Sequence, residues 1–204
     1  MDADTELREL APDPFTHAVP ALIRIYEAAM APPAEQLPGR AAVMNAHAEH
    51  PGFRSVVAVR GGDAVGFAYA FRGRSGQWWH DVVEAELRSR GNERQARRYL
   101  ASALEIAEVH VHPDAQNGGL GRRMLHTLCE GRPERTALLS TRTGPTPARH
   151  LYDSCGFSAL LEDFTFPGSP DHPFDILAAR LPLRGPGSRR SPGRSPWWPW
   201  TGSR

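Results

Sequence analysis

The chain has 204 residues, a formal charge of +1, 40% hydrophobic and 23% charged residues, and two cysteines. Those values describe one globular domain long enough to bury a sizeable core. They exclude a disulfide framework and, with no apolar run near ~18 residues, a membrane span.

The charge is divided: residues 184–204 hold Arg184, Arg189, Arg190, Arg194 and Arg204 and no acid, which leaves an acidic body. An acidic body argues against nucleic acid as a partner. The opening MDADTELREL is polar and acidic, unlike a secretory leader. With Cys129 and Cys155 on helix-like segments, the expected location is cytoplasmic.

TELREL (5–10) reads as a first strand. Asp13 is placed to cap a helix with Pro14 at its first position, and Phe15, Val19, Leu22, Ile23, Tyr26 and Met30 follow at helical spacing. A weaker helical stretch covers 33–49; its His47 and His50 read as surface residues. FRSVVAVR (53–60) and DAVGFAYAFRG (63–73) flank Gly61-Gly62, a hairpin signal, with Val65, Phe67, Tyr69 and Phe71 on one face. Residues 74–103 read as one or two helices inserted between strands. There Trp78, Trp79 and His80 cluster near Asp81, Glu84 and Glu86. Aromatic faces beside acids suit a cationic acceptor, and the same tryptophans would serve to pin the insertion to the core.

LEIAEVHVH (104–112) reads as a strand, 119–131 as a helix and TALLST (136–141) as a strand. Thr146 caps and Pro147 opens a last helix, with Ala148, Leu151, Tyr152 and Cys155 inward and Gly156 as its stop. FSALLEDFTF and FDILAARLPL close the chain's folded part as two antiparallel strands. The Arg-, Pro- and Trp-rich remainder cannot build a core and reads as disordered. Antiparallel strands followed by strands separated by single helices predict a mixed α/β sheet in one domain, 1–183, with a tail, 184–204.

The segment HVHPDAQNGGLGRRML (110–125) carries the chemistry. A helix N-terminus presents unpaired N–H groups and a partial positive charge, which suit phosphate, and glycines let a phosphate approach the backbone. A Walker loop is excluded because the chain has no lysine, and the spacing does not fit a Rossmann fingerprint. What remains is Q-x-x-G-x-G, Gln116 to Gly121.

With Val111-His112-Pro113 before it, and Ala148-Arg149-His150-Leu151-Tyr152-Asp153-Ser154-Cys155-Gly156-Phe157 one strand later, the chain resembles the GCN5-related N-acetyltransferase (GNAT) superfamily. The resemblance is strong over 104–157 and agrees in element order over 5–182; it does not reach 74–103 or the tail. It implies the GNAT acyl-CoA N-acyltransferase fold, acetyl-CoA as cosubstrate, no metal, and direct attack of a bound amine on the thioester. It further implies that Gln116, Asn117, Gly118, Gly119, Leu120, Gly121 and Arg122 hold the coenzyme pyrophosphate, and that Val109, His110 and Val111 pair with its pantetheine arm. Tyr152 would protonate the leaving thiolate. Thr146 stands where many relatives carry an asparagine near the coenzyme.

An amine with a conjugate acid near ~10.4 must lose a proton before it attacks. Glu108 is the first candidate for that base or for an amine anchor, and Glu105 the second. Simple alternation sets Glu108, His110 and His112 on one face and Glu105, Val109 and Val111 on the other, although a bulge would change that parity. HVHPD also matches part of a zinc-hydrolase pattern, but Ala115 stands where another histidine would follow. The acceptor, a small molecule or a peptide, stays open, as do the acyl chain length, a homodimer, and a silent acyl-CoA-binding module as the alternative to an enzyme.

Overall fold

A computed structural model describes residues 5–32, 37–168 and 172–185. Most of the expected tail lies outside them, as do residues 33–36 of the second expected helix. The elements are β1 (Glu6–Leu10), α1 (Pro12–Met30), α2 (Leu37–Ala48), β2 (Arg54–Arg60), β3 (Asp63–Arg72), α3 (Trp78–Ser89) and α4 (Glu93–Leu100). There follow β4 (Ala103–Val111), α5 (Leu120–Cys129), β5 (Thr136–Arg142), α6 (Pro147–Cys155), β6 (Ser158–Phe164) and β7 (Phe174–Arg180).

The strands form a seven-stranded mixed sheet in the order β1-β2-β3-β4-β5-β7-β6, antiparallel except where β4 runs parallel to β5. One face packs on α5 and α6 through Val56, Ala68, Leu104, Met124, Leu125, Tyr152 and Phe157. The other face carries two neighbouring clusters: α1 and α2 cover β2 and β3, while α3 and α4 cover β5, β6 and β7. No helix among the described residues is long and apolar enough to cross a membrane.

Several local expectations change. The first helix opens at Pro12 behind Ala11, not at Pro14 behind Asp13, whose carbonyl instead accepts from Thr16 Oγ1 at 2.8 Å. Proline fits the first turn because that N–H needs no helical partner. Ile25 takes the inward place expected of Met30, which is 38% exposed. Val65 parts from Phe67, Tyr69 and Phe71: β2 and β3 slip register between Ala58 and Val59, and the bulge turns Val65 to the α5 side. Ala148 lies in the exposed first turn of α6, whose buried residues are Tyr152 and Cys155.

Leu104 is fully enclosed at the centre of the sheet. Leu104→Ala should lower unfolding stability by about 3 kcal/mol, read by urea denaturation; a loss below about 1 kcal/mol would mean the site collapses without a cavity.

Candidate active site

The parallel pair β4–β5 is short. Its register runs only through Ala103↔Thr136, Leu104↔Ala137 and Glu105↔Leu138. Beyond Glu105, β4 keeps β3 as its partner as far as Val111, while β5 stays with β7 to Arg142, so a gap opens between them. The His112 N–H bonds the Val65 carbonyl of β3 at 2.9 Å. By alternation along an antiparallel strand, the His110 amide also faces β3, and those of Val109 and Val111 face the gap.

At the mouth of the gap, the Gln116 side chain donates to the Val111 carbonyl at 3.0 Å and fixes the loop to the strand end. Asn117 and Gly119 take left-handed backbone angles, φ 64° and 75°, and α5 starts at once with no side-chain cap on Gly119. Arg123 is the residue whose N–H closes onto the Gly119 carbonyl, so the N–H groups of Leu120, Gly121 and Arg122 have no helical partner. A Cβ at Gly118 or Gly119 would meet no atom within 4 Å. At Gly121 it would sit 3.1 Å from Leu151 Cδ2, so this glycine serves the packing of α5 on α6. Arg122 bonds Ser154 Oγ at 2.5 Å and stays near the loop, whereas Arg123 is tied to the Thr5 carbonyl at 3.0 Å.

A second bulge sets the acidic side chains. Tyr69 pairs with Glu108 but Ala70 with Ile106, which leaves Ala107 extra in β4. The parity changes there: Leu104, Ile106, Val109 and Val111 pack towards α5 and α6, and Glu105, Glu108 and His110 share the opposite side. Glu105 and Glu108 therefore lie on one face, not on two.

Their surroundings differ. Glu105 is 3% exposed and takes His80 Nδ1 at 2.6 Å. Its Oε1 fills the place where a Cβ on Gly73 would stand, 2.1 Å away, and its Oε2 is enclosed without a partner. Burial raises the Glu105 carboxyl above its ordinary range. Burial also opposes the charged His80 ring, but the bond to Glu105 and its charge prevail and raise it.

Glu108 binds Arg40 Nη1 through Oε1 at 3.1 Å and His110 Nε2 through Oε2. Arg40 lies 4.2 Å over the Tyr26 ring, and Tyr26 meets His110 edge-on at 5.2 Å. His47, expected at the surface, is half-buried and bonds the Tyr69 hydroxyl at 3.1 Å; burial and its neighbour His50 push it down to about 4.

Tyr152 lies on α6 against Phe157, 5.8 Å between ring centres. Burial, with the charge of Glu108 behind it, raises its phenol well above the usual range, so it stays protonated. Thr146 spends its hydroxyl on the Arg149 N–H as the α6 cap. Among the insertion residues His80 is buried, Trp79 packs half-buried on the α3–α4 cluster, and Trp78 is 59% exposed, 5.5 Å from Phe166. Of the histidine pair in HVHPD, His110 goes to Glu108 and His112 caps the following turn through Asp114. Arg40 and Tyr26 were not expected in the site: Arg40 sits in a stretch without clear periodicity, and Tyr26 reads as one more core position.

Residues 51–159 match the family model of the acetyltransferase (GNAT) domain. The chain belongs to the GNAT acetyltransferase family. It is 37% identical over 123 residues to a GCN5-like protein acetyltransferase of Mycobacterium tuberculosis, a match covering 58% of this chain and 59% of that protein's length. The ribosomal-protein-S18-alanine N-acetyltransferase of Escherichia coli shares the fold with TM-score 0.59 at 19% identity, covering 91% of this chain and 99% of that one. An N-acetyltransferase of Thermoplasma acidophilum, solved with coenzyme A, does so with TM-score 0.56 at 11% identity, covering 87% and 99%. The bulged β4, the gap and the glycine turn are thus parts of a GNAT domain.

Both His80 and Glu105 have folded values above their ordinary ones, so both take up protons on folding and their contribution falls as pH rises. It is fully present below the unfolded value of each group and is lost as pH climbs through the folded ones. The gap in melting temperature between wild type and Glu105→Gln should therefore narrow from pH 6 to pH 9; a gap that widens would contradict this pairing.

Proposed function

We propose that this protein transfers the acetyl group of acetyl-CoA to an amine by direct attack on the thioester. The carrying observation is the gap between β4 and β5 that ends at a helix with three N–H groups that have no helical partner, where a Cβ on Gly118 or Gly119 would meet no described atom within 4 Å. The residues fit the coenzyme: Gln116 to Arg122 would receive its pyrophosphate, and the Val109 and Val111 backbone would pair with the pantetheine arm. Bound there, acetyl-CoA supplies the activated acyl group. A backbone N–H on β4 stabilises the oxyanion as the carbonyl is attacked. Glu108 and its partners form the proton-accepting, amine-anchoring centre of the acceptor side; Arg40 and His110, both partly exposed, flank its carboxylate, whereas Glu105 is locked against His80. Tyr152, kept protonated by burial, donates to the thiolate. Trp78, at the rim of the insertion, supports contact with the acceptor. The name of the tuberculosis relative favours a protein amine over a small molecule.

Calorimetry with acetyl-CoA tests the coenzyme site. Wild type should bind in the micromolar range, and Gly119→Glu at least ~10-fold more weakly, a loss of about 1.4 kcal/mol or more. Gly119→Ala, which bears the same left-handed strain without charge, should keep more of the affinity. Equal binding by wild type and Gly119→Glu would overturn the phosphate assignment.

Thiol release from acetyl-CoA over a panel of lysine peptides, peptides with free N-termini, polyamines and aminoglycosides tests turnover. Glu108→Gln and Tyr152→Phe should each cost about 10²-fold or more in kcat. Tight binding without turnover on any amine would favour an acyl-CoA-binding module instead.

A further inference from the structure

We propose that His110, through Nδ1, takes the proton of the incoming amine, and that Glu108 is the residue that positions it. The inference rests on the acetyltransferase reading and deepens it.

Both oxygens of Glu108 are already engaged, Oε1 by the Arg40 guanidinium at 3.1 Å and Oε2 by His110 Nε2. A carboxylate only accepts, so in the neutral ring the proton sits on Nε2 and Nδ1 is the bare, basic nitrogen. Nδ1 has no hydrogen-bond partner among the described residues, and it is absent from their enclosed, unpartnered polar atoms. The His110 side chain keeps 11% of its surface exposed. The ring is held edge-on by Tyr26 and tilted on Phe67 at 5.4 Å, which fixes its direction. Its neighbours on β4, Val109 and Val111, turn their backbone to the gap where the thioester would lie. The groups facing this ring or its partner are Glu108 from β4, Tyr26 from α1, Arg40 and His47 from α2, and Phe67 and Tyr69 from β3.

The step balances. An ammonium group gives one proton to Nδ1, and the neutral nitrogen attacks the acyl carbon, forming C–N as C–S breaks. The thiolate takes a proton from Tyr152, the phenolate recovers it through water from the new amide nitrogen, and His110 releases its proton to solvent. Glu108 keeps the imidazolium stable meanwhile, as the carboxylate of a triad does.

The test is the pH profile of kcat/KM, with the amine from the panel that turns over fastest. His110→Gln should lose the acidic limb and about 10²-fold in kcat, with calorimetric acetyl-CoA affinity unchanged. Free imidazole should restore part of the rate to His110→Ala, and the double variant His110→Gln, Glu108→Gln should be no slower than His110→Gln alone. Glu108→Gln should shift the limb but keep it. An acidic limb that survives in His110→Gln and vanishes in Glu108→Gln would overturn the proposal.

Nitrogen NMR of the wild-type imidazole gives a second readout without an acceptor. It should find Nε2 protonated and Nδ1 bare at high pH, and the opposite tautomer would also overturn the proposal. If no amine is acetylated, the acetyltransferase reading fails, whereas a wrong tautomer with intact turnover sinks only the role of His110.

Discussion

A parallel strand pair that ends early governs the rest of this molecule. β4 and β5 share a register as far as Glu105 and Leu138 and then part. Each can leave because its other edge is satisfied: β3 pairs β4 to its end, and β7 pairs β5 along its whole length. The open edge of β4 keeps backbone donors and acceptors unused by the sheet. Such groups are costly to bury without a partner, and an extended amide-bearing ligand can complete them as an added strand would.

The two faces of the sheet serve the gap differently. On one face, α5 brings its N-terminus to the end of β4, and α6 brings Tyr152; a glycine at 121 lets the two helices close on each other at Leu151. On the other, α1 and α2 supply Tyr26 and Arg40 to Glu108 and His110, while α3 supplies His80 to Glu105. The bulge at Ala107 joins these arrangements, because it turns both carboxylates to the same side. One is locked under the insertion against His80, and the other is held in a charged cluster with Arg40 and His110. Similar residues three positions apart on one strand thus have separate surroundings, one bonded to His80 and the other to Arg40 and His110.

The parts of the fold set by local rules could be read from the chain. Thr146, Pro147 and Gly156 bound α6 as capping chemistry requires, and the glycine turn before Leu120 was readable from its spacing alone. The features that depend on distant partners were not. Whether Val65 or Ala107 is the extra residue in a strand is decided by pairing with β2 or β3, which no window of sequence contains. Arg40 acquires its meaning only because Glu108, far along the chain, folds beneath it. His47 likewise reads as a surface residue until Tyr69 and Phe71 are placed under α2. The glycine turn and the helix it opens were therefore legible, because a contiguous motif forms them. The cluster around Glu108 was hidden, because four elements converge on it.

Amide hydrogen exchange, residue by residue, with and without acetyl-CoA tests the central claim most directly. The coenzyme should slow exchange at Val109 and Val111 and at Leu120, Gly121 and Arg122, and leave the His110 amide, already bound to β3, unchanged. Protection elsewhere with these amides unaffected would mean that the gap between β4 and β5 is not where the coenzyme lies.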